Sequence, residues 1–249
     1  MGFMFLELKS DNDYKEAYFE MLKYRLAYAS LELEGIDDDL ATTDQSMKIY
    51  NQLSAINYVF NSNKNHSFYM KHTEFTNFVC EIATLVSGGE INGFRKTRAE
   101  VNGSIVPRSK ASMVRNDLWY LIDDYNYQIK NAKDEDKLFE IEALFHIRFL
   151  HIHPFEDANG RTARILLTYN LAKNNLAPCI ITKNMKNEYC NYIEHSDYKS
   201  LALMFKKLSS LELNNMIALY KELDNKGCIE TNLMNEEQEK EYKKIIKKL

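Results

Sequence analysis

The chain is 249 residues long, and its 45% of hydrophobic and 27% of charged residues are typical of a globular protein. Its net charge of −4 gives no overall basic field that would attract nucleic acid, and no apolar run approaches the roughly 20 residues needed to cross a bilayer. Only three prolines and eight glycines interrupt the sequence, so the composition favours a mostly helical fold.

Cysteine usage and the chain ends bear on the cellular compartment. Cys80, Cys179, Cys190 and Cys228 show no Cys-x-x-Cys spacing, so we interpret them as reduced thiols. The apolar start of the chain is too short and too uncharged for a signal peptide. The basic run at residues 240–248 is interpreted as a solvated terminal helix, with a membrane or nucleic-acid tail as the alternative. We therefore expect a cytoplasmic protein with no membrane and no nucleic-acid partner.

The N-terminal third of the chain has the apolar periodicity of helices. Gly35 ends the first of them, because glycine is common just past a helix C-terminus. Thr43 or Asp44 can cap the start of the second, and the glycines that follow Ser87 end the third. These signals predict helices over residues 11–34, 43–60 and 73–86.

One stretch, between Gly88 and Pro107, lacks helical periodicity. Within it an Asn-Gly pair lies between β-branched residues, which is typical of a β-hairpin. An ordinary surface loop is the alternative. The predicted hairpin comprises Val101, Asn102, Gly103, Ser104, Ile105 and Val106.

Helical periodicity resumes after the hairpin and continues through most of the remaining chain. The segment at residues 136–151 is apolar on most faces, so we expect it to be the central, buried helix of a bundle. Pro154 ends it, and the next helix opens at Asn159 or Gly160. The fold class is therefore all-α, with one short β-hairpin. The predicted helices cover residues 112–129, 136–151, 159–173, 189–193, 198–208 and 214–223.

The start of the helix after Pro154 has the groups that bind a polyphosphate. Its first turn presents unpaired N–H groups and a partial positive charge, and Gly160 lets a ligand approach the backbone closely. Arg161 and Arg164 are three residues apart, so both emerge on one face and can fork onto phosphate oxygens.

Two further residues can supply the chemistry of group transfer. Asp157 lies just before the helix, where a hard oxygen ligand can hold Mg²⁺ against phosphates, and His153 can take a proton near neutral pH. Taken singly, each has a structural explanation as a cap or a helix-end residue. Those explanations do not account for the order and spacing of the whole set. A zinc site built from His146, His151 and His153 is the alternative, although it matches no motif that we recognise.

Residues 153–164, HPFEDANGRTAR in one-letter code, closely resemble the signature of the Fic family, His-x-Phe-x-Asp/Glu-Gly-Asn-Gly-Arg-x-x-Arg. Every signature position matches except one, where Ala158 replaces the first glycine. If that glycine serves a positive φ, alanine costs about 1 kcal/mol or more there, whereas if it serves only close approach, alanine is tolerated. The resemblance covers roughly residues 73–208, between an N-terminal region at 1–72 and C-terminal helices at 209–249.

The resemblance implies a helical bundle that transfers AMP from ATP, with Mg²⁺ as cofactor, to a Ser, Thr or Tyr hydroxyl of a protein or of the chain itself. His153 would be the general base and Asp157 the metal ligand. Arg161 would bind the β-phosphate and Arg164 the γ-phosphate. The remaining nucleotide-binding residues would be Ala158, Asn159 at the α-phosphate, Gly160 with its neighbouring amides, and Tyr189, Asn191 and Tyr192 as candidates for the base pocket.

A second resemblance lies upstream, in the first predicted helix. Ser30, Glu34 and Gly35 fit the family's inhibitory motif, Ser/Thr-x-x-x-Glu-Gly/Asn. On its own this short pattern also fits a capped or solvated helix end. By resemblance, Glu34 would pair with Arg164 and occupy the γ-phosphate site, while Ser30 would brace the helix.

Several functions remain open within this resemblance. The hairpin at residues 101–105, together with residues 93–95, is similar to the family's flap that docks the target protein. Some members with an inhibitory glutamate also remove AMP, and others transfer UMP or phosphocholine. A regulatory member would hold nucleotide without turnover, and the intact His153 and Asp157 argue against that. The sequence does not identify the target, and it leaves a homo-oligomer open.

Overall fold

Eight α-helices form the regular structure of residues 12–35, 43–62, 70–101 and 104–225, which the computed structural model describes. No strand occurs among those residues, so the predicted all-α class is confirmed for them. Two 3₁₀ turns, Ala111–Met113 and Lys183–Met185, lead into the fourth and the seventh helix. The helices are α1 (Asn12–Glu32), α2 (Thr43–Ser62), α3 (His72–Val86), α4 (Val114–Lys130), α5 (Glu135–Ile152), α6 (Asn159–Lys173), α7 (Lys186–Glu194) and α8 (Tyr198–Asn225).

Helix α5 lies at the centre of the bundle, in contact with α4, α6 and α8. Asp134 caps it, because its side chain accepts a hydrogen bond from the Lys137 N–H at 2.8 Å and satisfies a donor that the helix start leaves open. The helix is buried on most sides, as its apolar sequence predicts. Its buried residues are Phe139, Ile141, Glu142, Ala143, Phe145, His146, Ile147, Phe149 and Ile152.

Helix α8 is continuous where the sequence predicted two helices, at residues 198–208 and 214–223. That prediction was wrong because the residues between them contain no glycine or proline, and the two serines among them are satisfied within the fold. Ser209 Oγ donates to the Ala177 carbonyl at 2.8 Å. Ser210 Oγ donates to the carbonyl four residues before it at 2.9 Å, within the helix itself.

Helix α1 packs against α2, α6 and α8. A buried carboxylate of α8, that of Glu212, accepts hydrogen bonds from Tyr18 at 3.0 Å and from Arg25 at 2.7 Å, both of which belong to α1. After α1, the chain turns at residues 33–35, where Gly35 has a φ of +80°. This turn brings Glu34 to the first turn of α6.

The segment between α3 and the first 3₁₀ turn follows an irregular path. The β-hairpin predicted at residues 101–106 is not confirmed, because its described residues form no strand, and residues 102 and 103 lie outside the described part of the chain. Glu194 of α7 holds the segment instead. Its carboxylate accepts hydrogen bonds from Ser104 Oγ at 2.6 Å and from the Ile105 N–H at 3.3 Å. That N–H is therefore engaged by a side chain and not by a neighbouring strand.

Among the described residues, no helix has both the length and the hydropathy that a membrane-spanning segment requires. Three features considered in the sequence lie outside the described residues: the start of the chain, Cys228 and the basic run at residues 240–248.

Candidate active site

The turn between α5 and α6 shapes the candidate site. His153 follows α5 in the left-handed conformation, at φ 52° and ψ 62°, while its N–H donates to the Phe149 carbonyl at 3.0 Å. Pro154 has no N–H with which to continue the helix. Phe155 is fully buried, and its ring centroid lies 5.9 Å from that of Phe94. The loop is thereby anchored in the hydrophobic core.

A pair of hydrogen bonds closes this loop on itself. The Phe155 N–H donates to Asn159 Oδ1 at 3.0 Å, and Asn159 Nδ2 donates to the Phe155 carbonyl at 2.9 Å. Asn159 is 3% exposed. Its observed role is to fix the loop, so the contact with an α-phosphate expected for its amide stays a prediction.

The two residues that flank Asn159 have backbone requirements of their own. Ala158, immediately before α6, is left-handed at φ 63° and ψ 11°, which is the strained case considered for the missing glycine. Gly160 serves close approach. A Cβ on it would lie 2.9 Å from Arg164 Nη1 and 3.4 Å from Glu34 Oε1. A larger residue at position 160 would therefore displace the Arg164 guanidinium, whereas the distance to Glu34 is close to an ordinary contact.

His153 has the protonation state of a base. Burial is the main cause that lowers its pKa to about 4, and the charges of Arg108 and Arg95 act in the same direction, so the ring is neutral at pH 7. Nδ1 lies 3.3 Å from the Leu150 carbonyl, which can only accept a hydrogen bond. We therefore assign the ring proton to Nδ1, which leaves a lone pair on Nε2.

Arg95 fixes the backbone that carries His153. Arg95 is only 3% exposed, and its Nε donates to the His153 carbonyl at 2.6 Å. Nη2 donates to the Ile152 carbonyl at 3.2 Å and to that of Ser109, and Nη1 donates to Thr97 at 2.7 Å. The guanidinium thus clamps the negative end of the α5 dipole to the irregular segment. Sequence reasoning missed this role, since backbone carbonyls leave no side-chain pattern.

Arg161 links three parts of the structure at the start of α6. Its Nη1 donates to the Val86 carbonyl at the end of α3 at 3.0 Å, and its Nη2 lies 2.6 Å from Asp157 Oδ2. Its Nε lies 2.9 Å from Glu34 Oε2. The residue is 7% exposed, so these contacts hold the guanidinium in one orientation.

Arg164 is bound by the end of α1 and by the turn that follows it. Its Nε donates to Ser30 Oγ at 2.8 Å, and its Nη2 donates to the Ser30 carbonyl at 3.0 Å and to Glu34 Oε1 at 2.8 Å. Gln52 of α2 donates to the same Ser30 hydroxyl at 2.9 Å. The structure therefore brings Ser30 and Glu34 onto the arginine pair, and the Glu34 carboxylate bridges Arg161 and Arg164.

The residues present fit a Mg²⁺ ion that shares its ligands with phosphate. The Asp157 side chain is 77% exposed and offers a hard carboxylate at the edge of the site, although Arg161 binds one of its oxygens. Mg²⁺ usually takes one or two carboxylates and completes its shell with water and phosphate oxygens. Within the described residues, no group of three or more His, Cys, Asp or Glu side chains could enclose a metal ion.

The three histidines considered for a zinc site have separate partners. His146 Nε2 lies 2.6 Å from the Tyr189 hydroxyl, and His151 Nε2 lies 2.9 Å from the Ile193 carbonyl. His153 faces the end of its own helix, as described above. The residues that the structure describes do not gather these rings around one point.

The candidates for the base pocket fall on different sides of α7. Tyr189 is 4% exposed, and its hydroxyl contacts His146 inside the core. Asn191 is exposed, and Tyr192 is partly buried with its hydroxyl bonded to Glu188. A contact with an adenine base therefore stays a prediction for each of these three side chains.

The fold and the site define a class: a helical bundle in which a neutral histidine, a carboxylate and two arginines converge at the start of a buried helix. Residues 75–171 match the model of the Fic/DOC family. The matched range includes α4, α5 and nearly all of α6, and with them the loop that joins α5 to α6.

Two curated relatives are both named protein adenylyltransferase Fic. Protein adenylyltransferase Fic of Drosophila grimshawi is 32% identical over 111 residues, which are 44% of this chain and 21% of that protein. Protein adenylyltransferase Fic of Culex quinquefasciatus is 28% identical over 200 residues, which are 72% of this chain and 37% of that protein. The chain therefore spans between about a fifth and just over a third of these relatives.

Solved structures support the fold. A Fic domain containing signaling protein from Bacteroides thetaiotaomicron superposes with a TM-score of 0.68 at 16% identity, over 86% of this chain and 93% of that one. Fic-1 from C. elegans superposes with a TM-score of 0.67 at 15% identity, over 87% of this chain and 68% of that one. At these identities the likeness shows a shared fold.

Proposed function

We propose that this chain is a protein adenylyltransferase that transfers AMP from ATP to a Ser, Thr or Tyr hydroxyl of a protein, and also to itself. The observation that carries the proposal is the placement of a neutral His153, with Nε2 free, on the loop that leads into Arg161 and Arg164. The name of the curated relatives supports the same reaction.

His153 begins the reaction by accepting the proton of the target hydroxyl on Nε2. The hydroxyl oxygen then forms a bond to the α-phosphorus of ATP, and the bond from that phosphorus to the β-bridging oxygen breaks. Pyrophosphate leaves with its electron pair, and AMP remains on the target. A positioned base of this kind contributes typically about 10²–10⁴ in rate.

The rest of the site binds the triphosphate. The open N–H groups in the first turn of α6 suit the α-phosphate oxygens, Arg161 binds the β-phosphate and Arg164 binds the γ-phosphate. Asp157 would hold Mg²⁺, which would supply neutralisation of the charge on the leaving pyrophosphate. The buried Phe155 and the Asn159 contacts keep the loop in shape before nucleotide binds.

Glu34 keeps this enzyme mostly inactive in our proposal. Its carboxylate occupies the side of both arginines that phosphate oxygens would use, at 2.8 Å from Arg164 and 2.9 Å from Arg161. A planar carboxylate and a tetrahedral phosphate each offer anionic oxygens to a guanidinium, so they compete for the same donors.

Labelling with ATP tests the activity and the inhibition together. We expect weak self-labelling of the wild type with Mg²⁺ and labelled ATP, and at least a tenfold increase in Glu34→Gly. Adding His153→Ala to Glu34→Gly removes the base, so we expect labelling to fall by roughly 10² or more. Autoradiography of the chain measures the transfer.

A matched control is Glu32→Gly, two residues earlier on α1, which should leave the labelling at the wild-type level. Labelling that survives His153→Ala would contradict the assignment of the base, and an unchanged level in Glu34→Gly would contradict the inhibition. Intact mass spectrometry after incubation with each nucleoside triphosphate distinguishes AMP transfer from UMP transfer, and a parallel incubation with a phosphocholine donor addresses that alternative.

The irregular segment provides the target-docking surface in this proposal. Ile105 is 81% exposed, while its neighbour Ser104 is anchored to Glu194, so an apolar side chain is held out on a fixed support. We also place the enzyme in a reducing compartment such as the cytoplasm. The free thiols of Cys80 and Cys179 support this.

A further inference from the structure

A buried glutamine of α2 contacts the segment that contains Ser30 and Glu34, residues 30–35. Gln52 is 1% exposed, and its Nε2 donates to Ser30 Oγ at 2.9 Å. Ser30 is 4% exposed, and the same oxygen accepts a hydrogen bond from Arg164 Nε at 2.8 Å. One hydroxyl therefore joins α2 to the arginine of α6 that Glu34 also binds.

The two donors engage both lone pairs of the Ser30 hydroxyl oxygen. The Arg164 guanidinium can only donate, so it takes one lone pair, and the Gln52 amide N–H takes the other. Because the donors belong to α6 and α2, they approach the oxygen from two different helices. The Ser30 side chain is therefore held between them.

Helix α2 is fixed in the bundle by contacts that do not involve residues 30–35. Ile56 and Val59 are at most 2% exposed and belong to the hydrophobic core together with residues of α3 and α6. Asn51 lies against the turn after α3, where a Cβ on Gly88 would come within 2.6 Å of Asn51 Nδ2. Gln52 therefore stays in place when the end of α1 moves.

The surroundings of Gln52 offer its amide few alternatives to Ser30. Most side chains that line the small cavity around this contact are apolar, and they come from α1, α2 and α6: Leu26, Ile56, Val59 and Ile165. Within the described part of the chain, Gln52 Oε1 has no hydrogen-bond partner. The bond to Ser30 is thus the one hydrogen bond that this side chain makes to the residues described.

Residues 30–35 transmit the position of Ser30 to Glu34. Both the hydroxyl and the carbonyl of Ser30 bind Arg164, and Glu34 lies four residues further on. The Glu34 N–H donates to the Leu31 carbonyl at 2.9 Å, so the turn stays hydrogen-bonded to the end of α1. A restraint on Ser30 is therefore also a restraint on the Glu34 carboxylate.

We propose that Gln52 is a positioning residue for inhibition, which holds Ser30 so that the turn after α1 keeps Glu34 on both arginines. The inference rests on the proposed function, because it takes the contacts of Glu34 as inhibitory. It assigns part of the inhibition to α2, outside the motif that contains Ser30 and Glu34.

Hydrogen exchange tests this role in the absence of nucleotide. Gln52→Met keeps an unbranched side chain and removes the amide donor. The reporters are the N–H groups of residues 33–35, which are hydrogen-bonded to carbonyls at the end of α1. We expect them to exchange roughly fivefold faster in Gln52→Met than in the wild type, as for the loss of one neutral hydrogen bond. Mass spectrometry of peptic fragments of the full chain measures the exchange.

Self-labelling with Mg²⁺ and labelled ATP tests the consequence for inhibition. In the otherwise wild-type chain, Gln52→Met should raise the initial rate roughly fivefold, because Glu34 is held less firmly. In the Glu34→Gly chain, the same substitution should leave the rate within about twofold. A positioning residue that acts through Glu34 has no effect once Glu34 is absent.

Gln128→Met is the matched control. It removes the same kind of donor on α4, where Gln128 Nε2 donates to Asp124 at 3.0 Å. We expect it to change neither the exchange at residues 33–35 nor the labelling. Thermal unfolding of each variant measures any general loss of structure.

The outcomes separate the positioning role from the proposed function. Unchanged exchange at residues 33–35 in Gln52→Met overturns the positioning role, and so does an equal change in labelling with and without Glu34. Faster exchange throughout the chain also overturns it, since that is the result of a merely structural role. If Glu34→Gly transfers no AMP, the proposed function fails, and the exchange still decides whether Gln52 holds the segment.

Discussion

Ala158 is the single residue at which this chain departs from the Fic signature, and its backbone shows what the departure costs. A left-handed alanine is unfavourable by roughly 1–2 kcal/mol. Ala158 is 2% exposed, and burial of its methyl group stabilises the fold by about 0.8 kcal/mol. The two effects partly offset each other, so the loop adopts its left-handed conformation at Ala158 at a small cost in stability.

The pKa of His153 makes a prediction about the dependence of catalysis on pH. A base works only when unprotonated, and burial lowers the pKa of this imidazole from 6.5 to about 4. For the Glu34→Gly variant at saturating ATP, we therefore expect kcat to be constant from pH 8 to about pH 5.5. Activity is then lost as the pH falls toward 4, and steady-state rates across this range provide the check.

An exposed histidine would behave differently, with kcat halved near pH 6.5 and falling about tenfold per pH unit below it. That result would contradict the assignment of His153 as a buried neutral base. Saturating ATP keeps the protonation of the nucleotide from limiting the rate. Circular dichroism at each pH ensures that the fold is intact where activity is measured.

At the scale of elements, one arginine joins the end of α5 to the irregular segment. The four carbonyls that Arg95 binds lie in different directions, and a planar guanidinium with five donors can reach them together. A lysine ammonium is a compact charge with three donors and cannot reproduce this arrangement. Loss of the guanidinium would change the position of His153, because Arg95 donates a hydrogen bond to the His153 carbonyl.

In the Glu34→Gly background, Arg95→Lys should lower kcat by roughly tenfold or more, because a base displaced by about 1 Å loses its alignment. The Kd for ATP should stay within about twofold, since α6 and its arginines are untouched. Arg148→Lys, at a partly exposed ion pair with Asp124, is the control and should change neither quantity. A rise in Kd that matches the fall in kcat would indicate a general structural role for Arg95.

Element boundaries were predictable where a local residue sets them. Gly35 and Pro154 each end a helix for reasons contained in their own backbone, and the structure has both ends close to the predicted positions. Ser209 gave no such signal, because whether it interrupts a helix depends on the distant Ala177 carbonyl. Two of the contacts of Arg95 span 57 and 58 residues and end on backbone carbonyls, so no residue pattern could mark them.

Some residues of the candidate site were likewise predictable from the sequence, and others were not. Its central residues lie within the 12 positions from 153 to 164, so their chemistry and order are visible together. Ser30 and Glu34 are 134 and 130 residues from Arg164, and only the resemblance to a family motif connected them. The environment of Tyr189 was not visible, because helical spacing does not tell which side of α7 faces the core.

At the scale of the whole molecule, α1 is fastened at two places. Its end contacts the arginines of α6, and its middle contacts Glu212 of α8 through Tyr18 and Arg25. The Glu212 side chain is 2% exposed, whereas that of Arg25 is 35% exposed, so solvent screens part of the ion pair. The contacts with Glu212 nevertheless support the placement of Glu34. Tyr18 and Arg25 lie on α1, and Glu34 lies in the turn that ends this helix.

Glu212→Ala leaves the Tyr18 hydroxyl and the Arg25 guanidinium without this acceptor, and we expect the free energy of unfolding to fall by about 2 kcal/mol. Self-labelling with ATP should rise several-fold, because α1 holds Glu34 less firmly against the arginines. Leu211→Ala, at a neighbouring exposed residue, is the control and should affect neither. Reduced stability without increased labelling would show that this attachment does not restrain Glu34.

The bridge that one carboxylate makes between two arginines has a thermodynamic consequence. If nucleotide binds only after Glu34 has withdrawn, as we propose, its apparent Kd equals the intrinsic Kd divided by the fraction of molecules in which Glu34 has withdrawn. If about one molecule in a hundred is open, affinity is weakened roughly a hundredfold, which corresponds to about 2.7 kcal/mol. Any partner that favours the open form must then tighten nucleotide binding, and bound nucleotide must tighten that partner by the same factor. The strength of inhibition can therefore be measured as a binding equilibrium, without any turnover.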